Sequence, residues 1–203
     1  MLFILQDLLL IFSTVNLCAL DVSKAFDKIN HYALFMKLMD RCVPIAIILT
    51  LKCWYDKVYT VVKWNVTFSR SVRLIAGVRQ REVLSPLLFA IYVDDILFKL
   101  SKSSLGCNIS RVCYNSIMYA DDLLLFALSL KDLQAMVDMC VLEFDSLDLN
   151  INIKKSMCLR IGPRHNEELI ESIDIRGIKL EWKREIRYLG VFIPAANNFK
   201  YNF

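Results

Sequence analysis

The stretch SIMYADDLLLF, residues 116–126, sets two adjacent aspartates between two apolar runs. The flanking segments VCYNSIMY and LLLFAL have the composition of buried strands, so Ala120-Asp121-Asp122 falls at a strand-to-strand junction. Both carboxylates then project towards one end of a sheet. Their repulsion reaches about 4 kcal/mol at ~4 Å and an effective dielectric of about 20. Such a pair either faces water, as aspartates in turns commonly do, or is neutralised by a cation. Asp21 strengthens the second option, because LCALD is another buried apolar run that ends in an acid. A fold that sets this strand end beside the turn would gather Asp21, Asp121 and Asp122 into an oxygen-rich site suited to Mg²⁺. Two such ions can activate an attacking hydroxyl and stabilise a leaving oxygen in phosphoryl transfer.

A near copy, IYVDDILF at residues 91–98, does not pass the same test. Ser85-Pro86 is a helix-start pair and LLFAIYVDDILFKL continues at helical spacing, so Asp94 and Asp95 sit inside a helix and point about 100° apart. Asp95 is placed to pair with Lys99 one turn later.

Two hundred and three residues suffice for one core-bearing domain. An apolar fraction of 56% and a mean hydropathy of +0.43 predict surfaces that meet other parts of a larger protein. The net charge of +4 is compatible with a polyanionic partner. Seven scattered cysteines without a CxxC pair indicate neither a zinc site nor a disulfide framework and read as reduced, mostly buried thiols. The N-terminal run MLFILQDLLLIFSTVNLCAL has no basic flank and carries Gln6, Asp7, Ser13, Thr14 and Asn16, which argues against a signal peptide or membrane span. Without a targeting signal, a nuclear or cytoplasmic location is expected rather than a secreted or membrane one.

Along the chain, residues 3–13 have helical spacing and NLCALDV reads as a strand ending at Asp21. SKAFDKINHYALFMKLMDRC is helical, and a further helix opens at Pro44. YTVVKWNV and RSVRLIAGV alternate like paired strands joined at Ser69-Arg70, with Gly77 ending the hairpin. Ser129 and Asp132 form a helix start, followed by an apolar stripe of Leu133, Met136, Val137, Cys140, Val141 and Phe144 that packs on the sheet. LNINIKKS is a loop with a short strand, GPRHNEE a linker, and IDIRGIKLEWKREIRYLGVFI a terminal hairpin built on Arg176-Gly177.

In this order, ALDVSKAFDKINH, GVRQREVLSPLLFAIYVDDIL, YADD, LNINIKKS and IRYLGVFI resemble the motif series of a reverse transcriptase of the non-LTR (LINE-type) retrotransposon class, over residues 18 to about 193. A group II intron maturase is the nearest alternative, and AFDKINH and YLGV lean away from it. The resemblance implies an α+β fold, a right-hand polymerase palm in which an antiparallel sheet with a catalytic hairpin packs on helices. Within one reverse transcriptase domain, residues 1–20 would be a remnant of the fingers, 21–160 the palm, and 161–203 a linker and primer-grip hairpin. Asp21, Asp121 and Asp122 would hold two Mg²⁺ ions, with Mn²⁺ as a substitute. Lys155 matches the lysine that protonates leaving pyrophosphate. Phe26 matches an aromatic gate against a ribose 2′-hydroxyl, Gln80 a residue lying against the nucleotide, and Tyr188, Leu189 and Gly190 the primer grip. Read alone, Phe26 would be a core aromatic and Lys155 a surface lysine.

Arg81 departs from the pattern, because the family places glycine there for close backbone approach to the nucleotide. Only 20 residues precede Asp21, and the chain ends soon after the primer-grip motif, so fingers and thumb are expected in a parent protein. The expected partners are an RNA template, a DNA primer and a deoxynucleoside triphosphate, with no membrane. The expected reaction is RNA-directed DNA synthesis, weak or absent in this chain by itself. The rival is a non-catalytic retrotransposon remnant that binds nucleic acid or another protein.

Overall fold

The apolar residues of VNLCALDVS occupy both alternating sets of positions, which is the pattern of a strand covered on two faces. In the structure, a computed structural model that describes residues 6–8, 14–79, 82–109, 112–167 and 172–201, this segment forms β1 (Val15–Ser23). Strand β1 lies between β9 (Asp122–Ala127) and β11 (Met157–Ile161), antiparallel to both. The sheet extends to β8 (Ser116–Tyr119) beyond β9 and to β14 (Glu181–Trp182) beyond β11, the latter parallel. Short β10 (Asn150–Ile151) pairs with the end of β1. The α+β architecture with an antiparallel sheet is therefore present.

Leu17, Leu124, Phe126, Leu159 and Ile161 belong to one buried cluster, which Ile186, Tyr188 and Ile193 complete from the hairpin β15 (Glu185–Tyr188) and β16 (Val191–Pro194). On the other face lies α4 (Leu130–Ser146). Its N-cap Ser129 accepts a hydrogen bond from the Asp132 amide at 3.0 Å. Its buried stripe is Leu133, Met136, Val137, Cys140 and Phe144, with Val141 half-buried at its margin. Burying aromatic or aliphatic side chains in such positions contributes about 1.5–3 kcal/mol each. Cys18 and Cys158 are free, buried cross-strand partners, and their contact together with burial pushes the Cys18 thiol up.

The chain divides into two compact units, residues 24–94 and the remainder, with the boundary inside α3 (Ser85–Lys102). The 24–94 unit contains a single 3₁₀ turn (Ala25–Lys28), α1 (His31–Asp40), α2 (Ile45–Asp56) and a two-stranded ribbon. Asn30 caps α1 through its side chain, and Pro44 stands at the N-cap of α2, one place before its first helical residue. The ribbon differs from expectation. Strands β2 (Tyr59–Thr60) and β5 (Val72–Arg73) pair at its base, and β3 (Lys63–Trp64) pairs with β4 (Thr67–Phe68) at its tip. The reversal is at Asn65-Val66, not at Ser69-Arg70. Asn65 takes the left-handed φ of 53° that a tight turn requires and asparagine tolerates. Ser69 serves the ribbon instead, its amide donating to the Val62 carbonyl.

Two further expectations change. VCYNSIMY is broken at Asn115 into β7 (Val112–Tyr114), which pairs with β6 (Cys107–Ile109), and β8. Asn115 is diverted because its side-chain amide donates to the Leu100 carbonyl at 2.7 Å while its own carbonyl accepts from the Phe126 amide. The C-terminal segment makes two hairpins rather than one, β12 (Asp174–Ile175) with β13 (Ile178–Lys179), and β15 with β16. Each reverses at a residue followed by glycine, Arg176-Gly177 and Leu189-Gly190, all with positive φ, while β14 between them joins the main sheet. Lys99, on the last turns of α3, forms an ion pair with Glu143 of α4 at 2.6 Å. Of the N-terminal segment 3–13, residues 6–8 are described and are helical; the rest lies outside the described residues. No helix among the described residues is long and apolar enough to cross a membrane.

Candidate active site

Two features bring the acids together, one local and one a matter of strand register. The first is the reversal between β8 and β9, where Tyr119 pairs with Asp122 across a two-residue loop, Ala120-Asp121. Ala120 takes a left-handed φ of 51°, an uncommon state for a residue with a Cβ. The second is the antiparallel register of β1 on β9, which makes Asp21 the Cα partner of Asp122. One hundred residues of chain separate them, and one rung of the sheet joins them.

Like charges directly opposite in a sheet are destabilising, and the local electrostatics bear this out. The Asp122 carboxyl is raised above its ordinary range by burial first, then by the negative charges of Asp121 and Asp21, with Lys155 acting against them. Lys155 Nζ lies 3.7 Å from Asp21 Oδ1, on a side chain that is 68% exposed. Because that pair is largely solvated, its contribution to stability is small.

The loop that carries Lys155 is anchored beside Asp21 by the backbone. The Asn152 amide donates to the Asp21 carbonyl at 2.8 Å, and the Asp21 amide donates to Ser156 Oγ at 3.2 Å. Ser156 Oγ in turn donates to the Asn152 carbonyl. On the other side, Tyr188 Oη donates to the carbonyls of Asp122 at 3.2 Å and Ile117 at 3.4 Å, holding the β15–β16 reversal, with Leu189 and Gly190, against the start of β9. Burial and the nearby Asp122 charge push the Tyr188 phenol up. Sequence reasoning missed Ser156 and Asn152, whose roles run through the Asp21 backbone and leave no signature of spacing.

Oxygen-only donors suit a hard divalent cation. The three acids do not form a ready-made ligand set by themselves: among the described residues, no three His, Cys, Asp or Glu side chains are gathered as one. Mg²⁺ characteristically takes one or two carboxylates and completes its shell with water and substrate phosphates, which a cross-strand pair with a third acid in the adjoining turn fits.

Phe26 belongs to the 24–94 unit, where its half-buried ring lies 5.0 Å from that of Phe89 and its carbonyl accepts from the Val78 amide. Gln80 and Arg81 lie outside the described residues. In the upstream YVDD, Asp94 is paired with Arg41 at 2.7 Å.

The family model described as reverse transcriptase (RNA-dependent DNA polymerase) matches residues 13–193. The polyprotein of the Drosophila melanogaster type-2 retrotransposable element R2DM is 28% identical over 204 residues, covering 94% of this chain and 19% of that protein. The RNA-directed DNA polymerase from the mobile element jockey of Drosophila funebris is 26% identical, covering 90% of this chain and 20% of that protein. This chain thus spans about a fifth of the length of each. Among solved structures, apo telomerase from Candida tropicalis truncated from the C-terminal domain is similar over 99% of this chain and 39% of its own, with a TM-score of 0.69 and 14% identity. That likeness shows a polymerase palm-like fold.

Proposed function

The chain belongs to the reverse transcriptase family, in its non-LTR retrotransposon class, and from that premise we propose that its acid cluster is the site of Mg²⁺-dependent transfer of a deoxynucleotide to a primer 3′-hydroxyl, templated by RNA. The observation that carries this reading is the Asp21–Asp122 rung with Asp121 in the adjoining turn and Lys155 at its edge. Asp21, Asp121 and Asp122 would hold two divalent ions, Mn²⁺ serving in place of Mg²⁺. When bound, such ions activate the attacking hydroxyl and neutralise charge on the leaving oxygen.

The chain's own groups supply position and protons. Lys155, already held near Asp21, is the proton donor to departing pyrophosphate. Tyr188, Leu189 and Gly190 set the primer end against β9, with Tyr188 tying that reversal to the backbone of the catalytic strand. Phe26 acts as the gate against a 2′-hydroxyl, and Gln80 lies against the incoming nucleotide. Arg81 replaces the glycine that would let the backbone approach, so nucleotide affinity is reduced. The polymerase domain is read as 1–203, with 21–160 as palm and 161–203 as linker and primer-grip region, completed by fingers and thumb of a parent protein.

Primer extension on an RNA template by the 203-residue chain, with Asp121→Asn alongside, tests this reading. Weak incorporation that vanishes in the variant is expected. Incorporation in neither would favour the non-catalytic remnant, which the match across 13–193 and the retained acids disfavour.

A further inference from the structure

The end of the central sheet away from the acids carries the opposite charge. Asn16, five residues before Asp21 on β1, is the register partner of both Ala127 and Arg160. Five strand residues span roughly 16 Å, and an odd step along a strand changes face. The surroundings of Asn16 are therefore on the α4 face at the far end, away from the Asp21–Asp122 rung.

Arg160 is the centre of this region. Its Nε donates to Asn16 Oδ1 at 2.8 Å, and its guanidinium lies 5.6 Å from the centre of the Trp182 ring. Asn16 is itself fixed, its amide donating to the Leu128 carbonyl at 3.0 Å. Arg160 lines two clefts at once. One, of about 440 Å³, is formed with Arg164, Lys131 and the first residues of α4. The other, of about 700 Å³, is formed with Trp182, Lys183, Arg184 and Glu167.

Cations outnumber acids here. Lys131, Arg160, Arg164, Lys183 and Arg184 line the clefts, with Glu167 as the one acid among the described lining residues; Lys183 is ion-paired to Glu181, and Asp132 lies nearby in the first turn of α4. Burial lowers the affinity of Arg160 for its proton and the charge of Arg164 lowers it further, with Glu167 opposing, so the two guanidiniums repel each other. Trp182 lines the larger cleft beside Arg160, and its indole Nε1 is buried without a hydrogen-bond partner among the described residues. A pinned arginine flanked by exposed cations, with an aromatic ring beside it, is the chemistry that recognises a phosphodiester backbone.

We propose that the paired clefts about Arg160 bind the phosphate backbone of a nucleic-acid strand, at a site separate from the catalytic acids. The Arg160 guanidinium contacts a phosphate between the clefts, and Lys131, Arg164 and Arg184 contact its neighbours on the strand. This site does not rest on the polymerase reading, because it requires neither metal nor nucleotide.

The test is binding of fluorescein-labelled 20-nucleotide single strands, RNA and DNA of matched sequence, to the full 203-residue chain in EDTA without nucleotide, read by anisotropy across a salt series. The triple variant Lys131→Glu, Arg164→Glu, Arg184→Glu reverses three exposed side chains. It is expected to weaken both strands at least tenfold and to flatten the slope of log affinity against log salt by about 2. Reversal of Lys52, Lys57 and Arg70, which changes net charge equally on exposed residues elsewhere, is expected to have a far smaller effect. Affinity within twofold of wild type on either strand, or an equal loss from the second set, would overturn the proposal. If the glutamate variant melts early, the corresponding triple glutamine variant is read by the same criteria. Since no catalysis is measured, failure here leaves primer extension untouched, and loss of primer extension leaves this binding untouched.

Discussion

The two ends of β1 pose opposite electrostatic problems and answer them differently. At the Asp21 end, carboxylates are forced together by register, and the counter-charge beside Asp21 among the described residues is a solvated lysine, Lys155, at 3.7 Å. At the Asn16 end, the leading cation is locked by a side-chain amide and an aromatic ring, and its neighbours are further cations. A site for a small divalent ion needs charge density more than shape, since its remaining ligands come from water and substrate. A site for an extended polyanion needs cations spread over a surface with one fixed point. The same strand therefore supplies a tight cluster at one end and a loose array at the other.

The largest effect expected to sharpen this contrast is on turnover. Asp121→Asn should lower single-turnover primer extension by about 100-fold or more while leaving strand affinity nearly unchanged. The basic triple variant should do the reverse, raising the apparent KM for primer–template with little change in kcat. Parallel losses of kcat in both would erase the distinction between the two ends.

Next in size is the response to divalent ion. At tenfold excess over its dissociation constant, Mg²⁺ should stabilise the fold by about 1.4 kcal/mol, a rise in Tm of about 3–5 °C for a chain of this size. Asp21→Asn should abolish this rise and the basic triple variant should retain it. Scanning calorimetry with and without EDTA makes the comparison.

A smaller effect concerns Asp122 without metal. Its carboxyl is raised on folding, so the folded state holds that proton more tightly than the unfolded chain. The corresponding stability is present below the ordinary carboxylate value and is lost as pH rises through the folded one. Asp122→Asn should therefore stabilise the metal-free protein at pH 7 by about 0.5–1 kcal/mol, the scale of a cross-strand like-charge pair. The gain should shrink to nothing as urea titrations move to acid pH. A gain that persists at low pH would show that charge is not its source.

The smallest is Tyr188→Phe, which removes the hydroxyl donated to the Asp122 and Ile117 carbonyls. A loss of about 1 kcal/mol is expected, together with weaker primer-end binding. Loss of stability with unaltered primer binding would assign Tyr188 to packing alone.

Much of this was legible in the letters. The apolar run ending in Asp21, the Asp121-Asp122 junction and the Ser129 cap all follow from pattern and local chemistry, and each is found where expected. The meeting of Asp21 with Asp122 was not available from periodicity, because register between strands 100 residues apart is a property of the assembled sheet. The resemblance carried that inference. The turn at Asn65 was masked by the more polar Ser69-Arg70, although asparagine's tolerance of positive φ was the better signal. In the C-terminal region, the residue pattern builds one hairpin on Arg176-Gly177, and only the resemblance marks Leu189-Gly190 as the turn of another. The Arg160 region left no motif, because its parts come from β1, α4, β11 and the segment after β14.

Strand β1 acts as a ruler, since the count of residues from Asn16 to Asp21 sets both the distance between the two charged regions and the faces on which they lie. Exchanging Leu17 or Leu20 for another aliphatic residue would leave that spacing alone. Removing one residue would turn either the amide or the acid to the wrong side of the sheet. This strand should tolerate a change in its spelling far better than a change in its length.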